Sequence, residues 1–192
     1  MEANLYIGLV HYPIYNKRGE VATAAVTNFD IHDIARCARM FGLGGFFIIT
    51  PLESQVQLVE RLIRHWVEGE GSIYNPTRKE PLSLVRIFRS IDEAEQEIYH
   101  LWKKRPKRIA TGASLPIHPL GFGRLRELLK DRETPFFMLF GTGWGLTREV
   151  KENSDYILAP VEGKGYNHLS VRSAVAIILD RLLGDRMSSS ES

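Results

Sequence analysis

Short apolar runs and amphipathic stretches alternate along this chain. The apolar runs predict buried strands over residues 5–10, 46–50, 82–88, 108–111, 136–140 and 156–159. Apolar residues at helical spacing predict helices over residues 30–41, 54–67, 91–104, 122–130 and 169–183, and Asp30 is the expected N-cap of the first helix. This alternation is typical of an α/β fold with a mostly parallel sheet and helices on both faces.

Two segments interrupt the alternation. Residues 68–81 are rich in glycine, proline and charge, and this composition indicates a surface excursion. Residues 185–192 are polar and rich in serine, which indicates a disordered tail. The rest of the chain, 1–184, is predicted to form a single domain.

The last two predicted strands each end in a glycine-containing loop. Residues 136–140 run into Gly-Thr-Gly-Trp-Gly at 141–145, and residues 156–159 run into 160–165 and then the polar start of the last helix. Glycine has no Cβ, so such loops bring backbone N–H and C=O groups close to a ligand. Ligands of open parallel sheets bind at the carboxyl ends of the strands. The sequence therefore predicts a small-molecule site built largely from backbone.

Other interpretations of these loops fit less well. A dinucleotide-binding loop needs a long following helix and an acidic residue about 20 positions further on, whereas only residues 146–153 separate this loop from the next strand. A phosphate-binding loop needs a Gly-Lys-Ser/Thr ending, which the chain lacks. Tight turns without a ligand remain the structural alternative.

Composition narrows the function classes. The chain is 44% apolar and 25% charged, with a net charge of +2 that does not by itself indicate a nucleic-acid partner. The single cysteine, Cys37, excludes an internal disulfide and a multi-cysteine zinc site, and the histidines lack close metal-ligand spacing, so no metal is expected. No run predicts a membrane span, and the N-terminus lacks a basic signal region, so the cytoplasm is the expected location.

Two motifs resemble those of a known family. FFMLFGTGWGL and ILAPVEGKGYNHLSVRSAVAIILDRLLG, within 136–184, resemble the SPOUT superfamily of S-adenosylmethionine-dependent RNA methyltransferases, in the small bacterial group near the TrmD-like and SpoU-like enzymes. NFDIHDIARCARMFGLGGFFIITP, residues 28–51, resembles the family's first motif, in which an arginine-bearing helix precedes a strand. SpoU-like members carry Asn-x-Gly at the start of that helix, where this chain has Asp30-Ile31-His32.

The resemblance implies a C-terminal trefoil knot, a homodimer, and methylation of tRNA or rRNA on a base nitrogen or a ribose 2′-oxygen. It also implies that S-adenosylmethionine is held mainly by loop backbone. The implied cofactor-binding residues are Leu139, Phe140, Gly141, Thr142, Gly143, Trp144, Gly145, Ile157, Leu158, Ala159, Pro160, Val161, Gly163, Asn167, His168, Leu169, Ser170 and Val171.

The resemblance and residue chemistry together give four catalytic candidates. Arg36 matches the arginine of the first motif, and because arginine stays protonated we expect it to position the acceptor or hold an RNA phosphate. Asp30, His32 and Glu162 are the candidate proton acceptors. Each of the four residues has a plainer interpretation, as a solvated helix or loop residue.

RNA contacts are less specifically indicated. Basic residues cluster at 103–108 and at Arg124, Arg126, Lys130 and Arg132, although helix ends collect such residues in any case. Tyr12, Tyr15, Tyr74 and Trp144 are predicted loop aromatics that could stack on an unpaired base, and Arg172 could reach RNA or a partner subunit.

The alternative functions are a non-catalytic RNA- or nucleotide-binding module and a nucleotide-cofactor oxidoreductase.

Overall fold

A computed structural model describes residues 3–114 and 118–184, so the predicted tail lies outside the described residues. Its strands are β1 (Leu5–Val10), β2 (Ile14–Tyr15), β3 (Val21–Ala22), β4 (Gly45–Ile49), β5 (Val85–Phe88), β6 (Lys107–Ala110), β7 (Phe136–Gly141) and β8 (Tyr156–Ile157). Its helices are α1 (Asn28–Met40), α2 (Glu53–Val67), α3 (Glu70–Tyr74), α4 (Pro76–Leu82), α5 (Ile91–Trp102), α6 (Phe122–Leu129), α7 (Arg148–Glu152) and α8 (Val171–Leu183).

Six of these strands form one parallel sheet, in the order β5-β4-β1-β7-β6-β8, and β2 pairs with β3 in a separate antiparallel hairpin. Alternate residues of β1 enter two cores on opposite faces of the sheet. Leu5, Ile7 and Leu9 pack with residues of α1, α6 and α8, whereas Tyr6 and Val10 pack with residues of α5 and α7. The prediction of a mostly parallel sheet with helices on both faces is thus confirmed.

The sheet order contains a reversal between β1 and β7. The chain builds outward from β1 to β4 and β5, then crosses to β6 and places β7 between β6 and β1. At such a switch point the loops that follow the two central strands diverge, and a crevice opens at their carboxyl ends. The strand order could not be derived from the sequence. The location of the ligand site at the carboxyl ends of the strands could be predicted.

Local boundaries differ from the predictions at three places. Thr27, not Asp30, is the N-cap of α1, and its hydroxyl oxygen accepts a hydrogen bond from the Asp30 N–H at 3.2 Å. Segment 68–81, expected as a surface excursion, contains α3 and most of α4, with Pro76 in the first turn of α4, where the missing N–H has no cost. Leu82 therefore ends a helix, and β5 begins three residues later at Val85.

After β8, the chain first extends the sheet edge and then forms helix α8, which packs on neighbouring helices. Leu158 donates its N–H to the Ala110 carbonyl at 2.9 Å and bridges Leu120, which extends the edge beyond β8. Helix α8 then packs against α1 and α6 through Val175, Ile178 and Leu179. Passage of this segment through a loop, as a trefoil knot requires, stays a prediction. Within the described residues, no helix is long and apolar enough to cross a membrane.

Candidate active site

A cavity of about 1120 Å³ opens at the carboxyl ends of β1, β6 and β7. Its volume is slightly larger than that of most small-molecule sites, which are roughly 300–1,000 Å³. Most of its wall comes from four stretches: residues 24–30 before and within α1, 111–114 after β6, 140–145 after β7, and 167–178 at the start of α8. Lys151 of α7 and Val161 complete the lining.

The loop after β7 is held rigidly by its neighbours. The Thr142 hydroxyl donates to the Val10 carbonyl at 3.0 Å, and the loop exchanges backbone hydrogen bonds with Tyr15 through Trp144 N–H at 3.0 Å and the Gly145 carbonyl at 2.9 Å. Gly143 and Gly145 have φ of 57° and 94°, a region that suits glycine. Trp144 therefore projects from a loop whose backbone is fixed on both sides.

Gly143 also has a reason within the fold. A Cβ at this position would lie 2.6 Å from Ile14 Cδ1 and 3.1 Å from the Tyr15 carbonyl oxygen. The missing side chain thus allows the β2–β3 hairpin to approach, and the predicted role of Gly143 in ligand access stays a prediction. The backbone of Gly143 still lines the cavity.

Helix α8 begins two residues later than predicted, at Val171, with Ser170 as its N-cap. The Ser170 hydroxyl oxygen accepts from the Ser173 N–H at 3.3 Å. Just before the helix, the Asn167 side-chain amide donates to the Ala113 carbonyl at 2.7 Å. This bond joins the wall that precedes α8 to the wall that follows β6, so Asn167 helps to shape the cavity.

A charged cluster forms where α1 and α8 meet at the cavity wall. Arg172 lies 3.3 Å from Asp30 through Nε and Oδ1, and 3.0 Å from Asp33 through Nη1 and Oδ2. The Thr27 hydroxyl donates to Asp30 Oδ2 at 2.7 Å, and the guanidinium carbon of Arg172 lies 5.5 Å from the centre of the Phe29 ring. The Asp30 side chain is only 14% exposed, so this carboxylate is held in one orientation.

The four catalytic candidates are not brought together. Among the described residues that line the cavity, Asp30 is the only one of the four. His32 lies about 200° around α1 from Asp30 and packs edge-on against Trp66, with ring centres 5.5 Å apart. Burial lowers the pKa of His32, and the charge of Arg78 lowers it further. Arg36 and Glu162 are exposed and lie outside the cavity lining.

Two-thirds of the predicted cofactor-binding residues line the cavity. They are Phe140, Gly141, Thr142, Gly143, Trp144, Gly145, Val161, Asn167, His168, Leu169, Ser170 and Val171. Leu139, Ile157, Leu158, Ala159, Pro160 and Gly163 are absent from the described lining. Leu139 and Leu158 are both buried in the cores, and Leu139 lies on the sheet face opposite to its neighbour Phe140, which lines the cavity.

Several lining residues were not selected from the sequence. Residues 111–114 follow β6, and Lys151 lies beside Gly112, 3.5 Å from the position of an added Cβ. The glycine after the predicted strand at 108–111 was a signal for this loop. Only the placement of β6 next to β7, however, brings it to the same crevice.

One buried histidine lies close behind the cavity wall. His11 follows β1, is fully buried, and makes no hydrogen bond of normal geometry at either ring nitrogen among the described residues. Desolvation lowers the pKa of His11 to about 4, although the charge of Asp30 and weak hydrogen bonding to the backbone at Ala24 and Ala25 act in the opposite direction. The ring is therefore neutral at pH 7.

The predicted basic cluster at 103–108 is largely paired. Arg108 is buried and binds Glu95 through Nε and Oε1 at 2.6 Å. Lys107 pairs with Asp155 at 2.8 Å, and the Lys104 ammonium donates to the Glu133 carbonyl at 2.9 Å. These contacts favour the structural interpretation of this cluster over an RNA-binding one.

Comparison with known proteins gives three consistent findings. A family model described as SAM-dependent RNA methyltransferase matches residues 4–184. A protein of Oleidesulfovibrio alaskensis named tRNA (guanine-N(1)-)-methyltransferase is 48% identical over 185 residues, and an uncharacterized protein of Aquifex aeolicus is 39% identical over 180 residues. The SpoU methyltransferase AviRb of Streptomyces viridochromogenes, solved in complex with AdoMet, has the same fold, with a TM-score of 0.58 at 16% identity.

The extent of these matches differs. The alignment covers 96% of this chain but only 43% of the Oleidesulfovibrio protein, so the chain spans less than half the length of that relative. It covers 93% of this chain and 88% of the Aquifex protein. The AviRb match covers 95% of this chain and 58% of the solved chain.

Proposed function

The chain belongs to the family of SAM-dependent RNA methyltransferases, and from this premise we propose that it methylates a nucleotide of tRNA at the cavity described above. The observation that carries the proposal is the charged cluster at the cavity wall, where Thr27 and Arg172 fix the carboxylate of Asp30. The Oleidesulfovibrio relative is named as a tRNA methyltransferase, which supports tRNA over rRNA as the substrate.

The lining residues fit the cofactor that the family name implies. Adenine needs a narrow apolar slot with backbone N–H and C=O groups at its edges, and Phe140, Val161 and Ile178 supply apolar surface beside the loop backbone of 141–145 and 167–171. AviRb, a solved chain of the same fold, is in complex with AdoMet, which supports this choice of cofactor. When bound, S-adenosylmethionine supplies a methyl group made electrophilic by its sulfonium, which leaves positioning and proton removal to the protein.

We assign the proton-accepting role to Asp30. Its carboxylate lines the cavity, and each of its oxygens has a fixed neighbour, Arg172 on one side and Thr27 on the other. A base acts well only when its orientation is set in advance. Arg36 is assigned a phosphate-binding role from the exposed surface of α1, whereas His32 and Glu162 receive no role because the described cavity lining does not include them.

The proposal also includes the assembly and setting that the family resemblance implies. We propose a knotted chain that forms a homodimer, works in the cytoplasm where tRNA is found, and needs no metal. The exposed apolar side chains of Phe29 and Met40 on α1, 71% and 80% exposed, support a self-association surface. Sedimentation of the purified chain at several concentrations measures whether a dimer forms.

The deciding experiment combines calorimetry with a methyl-transfer assay. S-adenosylmethionine and its demethylated product are titrated into the protein, and radiolabelled methyl transfer to bulk tRNA is then followed, with digestion and mass spectrometry to identify the methylated atom. Asp30→Asn should lower kcat by about 10²-fold or more while cofactor affinity is retained, because proton transfer typically contributes 10²–10⁴-fold.

The matched control is His32→Asn, two residues along the same helix, which should retain nearly full activity. Full activity of Asp30→Asn would remove this carboxylate from the reaction. RNA binding without any methyl transfer by the wild-type protein would favour the non-catalytic alternative.

A further inference from the structure

Three aromatic side chains stand next to one another at the mouth of the cavity. The Trp144 and His168 rings have centres 6.4 Å apart, and the His168 and Tyr166 rings have centres 5.7 Å apart. Trp144 is 59% exposed and Tyr166 is 71% exposed. We call these three residues the aromatic rim. Adjacent exposed rings of this kind mark an interaction surface.

The backbone on both sides of the rim favours this exposure. Trp144 lies between Gly143 and Gly145, which both have positive φ, and its N–H donates to the Tyr15 carbonyl. Tyr166 follows Gly165, whose φ is 84°. Two separate loops, one after β7 and one before α8, thus present aromatic side chains to the same opening.

The rim extends beyond the cavity. Trp144 and His168 line the cavity, but Tyr166 is not among the described lining residues, although its ring centre lies 5.7 Å from that of His168. A ligand inside the cavity can touch the first two rings, whereas Tyr166 is available to a second molecule outside it. An acceptor that receives a methyl group from inside the cavity has to enter from outside, and Trp144 and His168 stand on the cavity wall beside the exposed Tyr166.

We propose that the aromatic rim binds an unpaired nucleobase of the RNA substrate by stacking, and that it thereby directs the enzyme to single-stranded segments such as loops. This inference rests on the proposed function, because it takes RNA as the substrate and the cavity as the cofactor site. Stacking on aromatic faces is the usual way in which proteins hold unpaired bases, since every base has an exposed π-face. A base-paired nucleotide has both faces covered by its neighbours and cannot stack on the rim.

The test measures RNA binding separately from methyl transfer. The probes are a fluorescein-labelled single-stranded oligoadenylate of about eight nucleotides, within the usual site size, and an RNA duplex of the same length. Binding is followed by fluorescence anisotropy at one fixed salt concentration, with the demethylated cofactor present at saturation. Calorimetry of each variant with S-adenosylmethionine is measured alongside.

Tyr166→Ala should weaken binding of the single strand about tenfold and leave the weaker binding of the duplex unchanged. Tyr166→Phe keeps the ring and should bind within about twofold of wild type. Tyr99→Ala is the matched control, because Tyr99 is an exposed tyrosine of α5, on the opposite face of the sheet. The Tyr99→Ala variant should bind both RNA probes with the affinity of the wild type.

Each other result overturns the proposal. Equal loss of single-strand and duplex binding, or no loss of either, would show that Tyr166 does not stack on a base. Loss of S-adenosylmethionine affinity would assign the ring to the cofactor site, and a change in sedimentation would assign it to a contact between copies. If wild type binds no S-adenosylmethionine, the proposed function fails, while the oligoadenylate comparison still tests the rim.

Discussion

The two ends of the parallel sheet differ in how completely their polar and aromatic groups are paired. At the amino end, Arg108 binds Glu95 in a pair whose side chains are 9% and 8% exposed, and the Asn4 amide donates to the carbonyls of Leu129 and Asp131. At the carboxyl end lie the cavity, the exposed aromatic rim, and His11, whose ring nitrogens make no hydrogen bond of normal geometry among the described residues.

This difference in pairing suggests that the amino end of the sheet mainly supports stability and the carboxyl end mainly supports function. At the amino end, the buried charge of Arg108 and the side-chain amide of Asn4 are already paired within the fold. Open backbone, exposed rings and an unsatisfied histidine at the carboxyl end cost folding free energy, and such costs are typical of binding sites. The comparison predicts that substitutions in the cavity and the aromatic rim change ligand binding or catalysis, whereas those at the amino end change folding alone.

The largest expected effect is at the cavity. Ala174→Phe places a large ring in the space that Ala174 lines, and we expect affinity for S-adenosylmethionine to fall by about 100-fold or more, because steric exclusion removes the site. Calorimetry measures the affinity, and thermal denaturation checks that the fold persists. Ala174→Ser is the control and should keep affinity within a few-fold. Unchanged affinity of Ala174→Phe would mean that the cofactor binds elsewhere.

At the amino end, Glu95→Ala should lower the free energy of unfolding by about 3–5 kcal/mol, because it leaves the charge of Arg108 buried without its main partner. Urea unfolding measures this change, and kcat for methyl transfer should stay at the wild-type value. Glu97→Ala on the same helix is the control, since its pair with the half-exposed Arg86 contributes about 1 kcal/mol or less. A large loss of kcat in Glu95→Ala would contradict the prediction that substitutions at the amino end change folding alone.

His11, at the carboxyl end of the sheet, makes the stability of the folded protein depend on pH. Its folded pKa of about 4 lies below the ordinary value of 6.5, so the unfolded chain binds the proton more tightly between these values. Stability is therefore fully present above pH 6.5 and falls by about 3 kcal/mol as the pH is lowered to about 4.

The measurement is urea unfolding as a function of pH. His11→Leu should remove most of this slope and leave stability at pH 7 equal or higher, because leucine removes a buried polar ring and no hydrogen bond of normal geometry is lost. His100→Leu, at an exposed position of α5, should keep the slope of the wild type. A wild-type slope in His11→Leu would show that other groups carry the pH dependence.

The smallest expected effect concerns RNA at the amino end. Replacing Lys104 and Arg105 together by alanine should change the KM for tRNA by less than about twofold at fixed salt, because the proposed RNA site lies at the opposite end of the sheet. Methyl-transfer kinetics with bulk tRNA measure this change. A tenfold rise in KM would show that this basic segment contacts RNA after all.

The sequence alone was enough to predict the fold class and the region of the ligand site, from hydrophobic periodicity and from the glycine loops. Strand and helix patterns follow from local alternation of apolar and polar residues, so they predicted the parallel α/β sheet and all six of its strands to within a few residues. Glycines at 141–145 and the polar start of the last helix indicated the ligand region, because loop chemistry is also local. The family resemblance rested on these same stretches.

The tertiary structure decided which of the candidate residues meet. Asp30 and His32 look equally suitable in the sequence, yet α1 turns one toward the cavity and the other toward Trp66. Arg172 reaches Asp30 across 142 positions of sequence, and residues 111–114 join the site only because β6 lies beside β7. Such contacts depend on strand order and helix rotation, which no local spacing specifies, and so they could be known only from the folded chain.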